Sequence, residues 1–441
     1  MARFVRPAFS AQCPQISRCY RPLRTNVDQG EQKMRVELPQ LLWYGNTTLS
    51  IDLPDDWDVE ICGMRGAARP PLSIEQMQQA ILNPLDAPRI RDLARGKKTA
   101  VIVFDDMTRP TRTYELAPIV LKELAAAGLD EDNITFVCAL GTHGALTQHE
   151  LRKKLGPAIL EKYRVFNHNC YEHCVEVGTT SYGTRVQINR EVMEADVKIG
   201  IGCVTAHAQT GFSGGGKLLL PGVAHIDSIS HYHLEVNAQA PQTTGLGKHE
   251  NNILRLNIEE AAAMVGLDFK IDVLFNDRGA TTAVFAGNLA AVHARAVELA
   301  KEVYDTHPRP QNRQLVIANA FAKANEMPIA VGVGMMSLTD YTGTLVVIAN
   351  SPEGQVVHYL LGRFGRNYGG RQYPVSTIPS SIDLIIMAAY RDKTFCDWFS
   401  NPHVVTWTRD WPETLEILKN KFKTKARAAV IPNATMQYYR R

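Results

Sequence analysis

The chain has 441 residues, 45% hydrophobic and 21% charged, with a formal net charge of +3. That length exceeds one compact core and predicts about two domains, while so small a charge gives no argument for nucleic acid or a membrane surface as partner. No apolar run reaches the roughly 20 residues that a membrane span needs.

Residues 1–33 carry Arg3, Arg6, Arg18, Arg21 and Arg24, no acidic residue before Asp28, and neither a helical nor a strand period. Such a segment fits a transit peptide, or more plainly an upstream start or a disordered tail with Met34 as the true start; in each case it is expected outside the fold. From Met34 the pattern changes. "LWYGNTTLSIDLP" reads as two strands around a Gly45-Asn46 turn, and "SIEQMQQAIL" as a helix capped by Ser73 and closed before Pro84 and Pro88. "KTAVIVFDD" predicts a buried strand ending in Asp105 and Asp106, "TYELAPIVLKELAAAG" an amphipathic helix stopped at Gly128, and "NITFVCALGTHG" the next strand. "ADVKIGIGCV" gives another strand, and "FKIDVLFN" one more between the helices "NIEEAAAMVG" and "NLAAVHARAVELAKEVY". The Pro-rich stretch 305–314 reads as a linker, followed by the strands "LVIANAF", "GTLVVIANS" and "SIDLIIMAAY". The expected fold is α/β: two α/β domains with mostly parallel sheets and an active-site cleft between them. Residues 34–304 form the cofactor-binding and catalytic domain, and 315–441 a smaller one closing over the substrate.

Parallel sheets bind ligands beyond the carboxyl ends of their strands. Polar clusters fall there three times: Asp105 to Arg109, Gly141-Thr142-His143 and Thr205-Ala206-His207. Singly, a strand-end arginine reads as a salt bridge and a lone histidine as a structural hydrogen-bonder; together they read as a site. After the third comes "GFSGGGKLLLPG", residues 211–222, which mimics the G-x-x-x-x-G-K of a P-loop. Leu218 stands where Ser or Thr would hold magnesium, and Pro221 interrupts the helix that must follow. Gly214, Gly215 and Gly216 still suit close approach of backbone N–H groups to an anion such as phosphate, and Lys217 beside them suits covalent attachment through a partly desolvated amine. The alternative is a tight turn with a surface lysine. Downstream, "HIDSISHYH" offers His225, His231 and His233; imidazole suits nickel, copper, zinc or iron, and spacing alone does not choose. "FNHNCYEHC" gathers His168, Cys170, His173 and Cys174 at intervals that match no standard zinc pattern, so ordinary packing is expected. The eight cysteines form no C-x-x-C pair and predict a reducing, cytoplasmic setting.

"DDMTRP", "ALGTHG", "QINREV" and "GCVTAHAQTGFSGGGKLLLPGV", in this order and with the downstream histidine, resemble the nickel-dependent lactate racemase family. The resemblance runs from about Met34 to the linker and continues more weakly beyond it. It implies a nickel pincer nucleotide (pyridinium-3,5-bisthiocarboxylic acid mononucleotide) joined covalently to Lys217, with His233 as the protein's nickel ligand. It further implies His143 and His207 as acid–base partners, Arg109 as a substrate holder and Asp106 as a polar neighbour of the cofactor. The implied reaction inverts a 2-hydroxy acid by reversible hydride transfer through a 2-keto acid. Cofactor-biosynthesis proteins would load the site, and an oligomer is compatible with the sequence. One departure stands out. Lactate racemases carry Tyr-Gln-x-x-Lys in the C-terminal domain, where this chain has "NAFAKANEMPIAVGVGMM". The substrate clamp is therefore expected to be missing or rebuilt, with Lys323, Arg391 or Lys393 as replacements, and a bulkier 2-hydroxy acid or a sugar acid fits as well as lactate. The rival readings are an oxidoreductase that uses the same cofactor and releases keto acid, a nucleotide-hydrolysing protein, and a non-catalytic phosphate- or cofactor-binding protein.

Overall fold

A computed structural model describes residues 34–367, 375–423 and 425–440; the N-terminal segment 1–33 lies outside them. Two six-stranded sheets organise the chain. The first runs in the order Thr281–Gly287, Phe269–Phe275, Val197–Cys203, Ala100–Asp105, Ile134–Ala139, Arg164–Asn167, all parallel except the antiparallel edge strand Thr281–Gly287. Its central strand, AVIVFD, is buried along its whole length, as β-branched runs covered on both faces should be. The chain builds outward from this strand to 134–139 and 164–167, then returns to place 197–203 on the opposite side. That reversal opens a crevice at the carboxyl ends of Ala100–Asp105 and Val197–Cys203.

The helix Ile74–Leu82 carries the expected Ser73 cap, reinforced by Gln76 in a capping box. The helix Thr113–Ala126 ends before Gly128, which adopts a left-handed φ of 90°. Glycines in the strand VKIGIGC have a packing role. A Cβ added at Gly200 would lie 3.1 Å from Leu218 Cδ1, and one at Gly202 would lie 3.4 Å from the same atom. The strand is bare where the segment after the glycine loop crosses it, and Leu218 is buried there. So Leu218 anchors the loop to the sheet, a contact worth about 2 kcal/mol for a fully buried leucine.

The second sheet is parallel throughout, in the order Thr406–Thr408, Ile382–Met387, Gly343–Ile348, Leu315–Asn319, Arg427–Ile431, Asp58–Ile61. Its last strand comes from far upstream in the chain. The hairpin of Met34–Gln40 with Thr47–Leu53 joins it, packing Val36, Leu38, Ile51 and Leu53 with Leu315, Ile317 and Val346. The start of the 34–304 segment thus belongs with the second sheet. Nor is 305–314 a bare linker: Thr306–His307 pairs with Gly63–Met64, and Arg313 binds Asp58 and Glu60. Local period cannot reveal pairings between segments more than 240 residues apart. The nearly all-apolar helix Met327–Ser337 is likewise absent from the periodic signals, because it lacks a polar face to mark it.

Candidate functional site

The sheets meet where the segment around His358 lies along residues 142–144. Tyr359 N–H donates to Thr142 O at 2.7 Å and Gly144 N–H to Val357 O at 2.9 Å. Beneath this contact is a cavity of about 350 Å³, at the small end of the usual range for ligand sites. Asp106, Arg109, His143, His207, Gly214, Lys217 and His233 all line it, joined by Glu326 and His358 from the second half of the chain.

His143 Nδ1 lies 2.6 Å from Asp106 Oδ2. Asp106 Oδ1 accepts the Thr108 N–H at 3.0 Å and the Thr108 hydroxyl. Burial alone would raise this carboxyl; His143, Arg109 and Thr108 more than offset it and hold it well below the ordinary range. Asp106 is therefore a carboxylate, and in the neutral form of His143 it draws the proton to Nδ1 and leaves Nε2 with a lone pair. That is the orientation of a general base backed by a carboxylate. Asp106 was expected beside the cofactor; it lines the cavity, but its oxygens are committed to His143 and Thr108. Asp106→Asn should lower kcat by about 10²–10⁴-fold with little change in KM, because it presents the wrong tautomer of His143. Steady-state kinetics with a circular-dichroism control checks this.

His207 is set the other way. Its Nδ1 accepts N–H groups from Gln209 and Thr210, both at 3.2 Å, which leaves the ring proton on Nε2. Nε2 is 2.7 Å from Lys217 Nζ, so the lysine accepts, and only a neutral amine can. Burial first, then Arg109 and Arg255, push the Lys217 pKa well below its ordinary value. Burial and Lys217 likewise depress His207. Geometry and electrostatics agree on an uncharged, nucleophilic amine.

The loop that carries this amine is clamped. Arg255 donates to Phe212 O and Gly214 O, His293 lies 3.0 Å from Ser213 O, and Asp272 accepts the Gly215 N–H at 2.8 Å. The Gly215 N–H expected to meet a phosphate thus already meets an internal carboxylate. The glycines make room for protein. Added Cβ atoms would come within 2.6 Å of Val204 at Gly214, 2.7 Å of His293 at Gly215 and 2.8 Å of Ala262 at Gly216. Gly214→Ala combines that clash with a φ of 79° and should cost about 2–4 kcal/mol, read as a lowered urea midpoint.

Of the three downstream histidines only His233 lines the cavity. It sits in a π-helical turn, Tyr232–Val236, and burial, followed by Lys217 and His143, pushes its pKa down to about 3. His225 caps the helix Ile226–His231, and His231 lies 3.0 Å from the Thr184 hydroxyl. His168 is structural, with Nε2 2.9 Å from Ala224 O and Nδ1 facing the Asn189 amide. Among the described residues no cluster of three or more His, Cys, Asp or Glu side chains could by itself hold a metal.

The expected substrate holders divide. Arg109 faces the cavity but is paired with Glu326 Oε2 at 2.8 Å. Lys323 does not line the cavity; it is fully buried, 3.9 Å from the same Glu326 oxygen. Arg391 is exposed and stacks on Trp407, and Lys393 is also exposed, so neither supplies the clamp. His358 had no sequence signal. Its Nδ1 accepts N–H groups from Leu360 and Leu361, and its ring meets that of His143 edge-on at 5.0 Å.

The α/β crevice thus gathers a lysine and several imidazoles, one backed by a carboxylate, around one cavity of small-molecule size. Residues 44–245, which contain most of these groups, match the family Lactate racemase N-terminal domain. A lactate racemase from Thermoanaerobacterium thermosaccharolyticum is 26% identical over 412 residues, 89% of this chain and 92% of the relative. One from Lactiplantibacillus plantarum is 30% identical over 231 residues, 52% of this chain and 54% of the relative. The chain thus carries a segment matching the lactate racemase N-terminal domain and is similar to lactate racemases along most of its length. In fold it resembles the lactate racemase apoprotein from T. thermosaccharolyticum (TM-score 0.71, 22% identity, 92% of this chain and 100% of that one). It also resembles a structural-genomics target from Thermotoga maritima (TM-score 0.60, 18% identity, 84% of this chain and 99% of that one). No helix among the described residues is long and apolar enough to cross a membrane.

Proposed function

We propose that this chain is a racemase or epimerase of 2-hydroxy acids that uses a nickel pincer nucleotide. The observation that carries the reading is that Lys217, His233, His143, His207 and Arg109 line one cavity. The residues fit the group: Lys217 offers an uncharged amine for a covalent bond, and His233 a neutral imidazole for nickel. When bound, that cofactor supplies reversible hydride acceptance at the α-carbon. The chain supplies everything else. His143 Nε2 takes the hydroxyl proton, and Asp106 stabilises the imidazolium that results. With the Lys217 amine consumed by attachment, the His207 Nε2–H would be free to donate to the substrate oxygen, and the His143 imidazolium returns the proton as the opposite enantiomer forms. Arg109 holds the carboxylate, and the clamped loop fixes Lys217. Loading by cofactor-biosynthesis proteins in a cytoplasmic setting completes the proposal, and no disulfide joins the described cysteines.

Intact-mass and nickel analysis of chain co-produced with the cofactor-making enzymes tests it. A covalent adduct is expected in the parent chain, and in His233→Ala an adduct with the nickel lost. An unmodified, nickel-free parent chain sinks the reading. A deuterium label at the α-carbon separates racemisation from the rival oxidoreductase, since net keto-acid release would mark the latter.

A further inference from the structure

The cation expected to hold the substrate carboxylate is already occupied. Glu326 Oε2 sits 2.8 Å from Arg109 Nη1, and Arg109 is also held by the Thr108 carbonyl and hydroxyl. Burial would raise the Glu326 carboxyl, but Arg109, Lys323 and His143 outweigh it, so it is ionised. Behind it Lys323 is fully buried, and its Nζ has no hydrogen-bond partner among the described residues. A buried cation without a close partner is costly, and this one stands 3.9 Å from the oxygen that binds Arg109. Closing by about 1 Å would give that oxygen the separation from Lys323 that it now has from Arg109.

We infer that Glu326 is an internal stand-in for the substrate carboxylate: it holds Arg109 here and passes to Lys323 when a carboxylate substrate binds. The exchange keeps Arg109 paired before and after, and gives Lys323 the close partner it lacks before. It admits one carboxylate at Arg109 per displaced Glu326, and Lys323 serves as the receiving partner without touching substrate. This rests on the proposed function only in assigning the substrate carboxylate to Arg109.

Calorimetric titration of oxamate, a monoanionic analogue of a 2-keto acid, into the full chain and its variants is the test. Glu326→Gln should tighten oxamate binding about tenfold, and Lys323→Met should weaken it about tenfold. In the Glu326→Gln background, Lys323→Met should have no further effect, because the lysine acts only through the glutamate. Arg109→Gln should abolish binding in every background. Equal weakening by Lys323→Met in both backgrounds would mean that the lysine binds the anion directly, and overturns the inference. So would unchanged affinity in Glu326→Gln, or no oxamate binding by any variant. Should Lys323→Met fail to fold, Lys323→Gln replaces it, and Glu326→Gln alone still decides the sign. Adduct formation at Lys217 reads the proposed function separately, so failure of one is not failure of the other.

Discussion

Lys217→Ala is expected to lose racemisation entirely, a fall of at least about 10⁶-fold to the uncatalysed background, with no covalent adduct by intact mass. The reason is in the geometry: the amine is neutral, held 2.7 Å from His207 Nε2, and fixed by a loop clamped by Arg255, His293 and Asp272. The same amine burdens the apoprotein. Because its folded pKa is lowered, mainly by burial, the folded chain binds fewer protons here than the unfolded chain. Stability therefore rises with pH from the lowered value up to the ordinary lysine value of about 10.4. Lys217→Met apoprotein should melt above the parent at pH 7, and the gap should narrow as pH approaches about 10. A gap that widened with pH would mean that the ammonium form is the stabilised one.

His143→Ala and His207→Ala should each lower racemisation by about 10²–10⁴-fold, the usual contribution of a positioned acid or base. The informative part is their difference. His143 presents a lone pair backed by Asp106, whereas His207 presents an N–H because two backbone donors hold its Nδ1. In single turnovers His143→Ala, which lacks the base, should form almost no trapped keto acid from either enantiomer, whereas His207→Ala should still form it from both, more slowly. Chiral chromatography with keto-acid trapping reads this. The same loss of keto-acid formation in both variants would assign the histidines to shape rather than to proton transfer.

The strand ends at 105–109, 141–143 and 205–207 were legible because each follows a buried apolar run closely, and a parallel sheet brings such ends together. Lys217 was legible from its glycines, although their role differs: they fit the loop against Val204, His293 and Ala262. Leu218, read first as a missing hydroxyl, is an apolar anchor over Gly200 and Gly202. Glu326 and His358 were not legible as site residues. Both reach the cavity through contacts between distant segments, Glu326 to Arg109 and His358 to Thr142–His143. The one local hint was Lys323 and Glu326, three apart just before a helix whose second residue is proline. Lys323, expected as a substrate holder, stands behind the Glu326 carboxylate, outside the cavity wall.

The pairing of Asp58–Ile61 with Arg427–Ile431 imposes an order on biogenesis. A ribosome releases the upstream hairpin and edge strand long before it makes the strand they must flank. During that interval their apolar faces wait without a partner, while the first sheet can already close. A segment translated well before Arg427–Ile431 is thus seated after it, and loss of that strand should expose the Asp58–Ile61 edge and its hairpin.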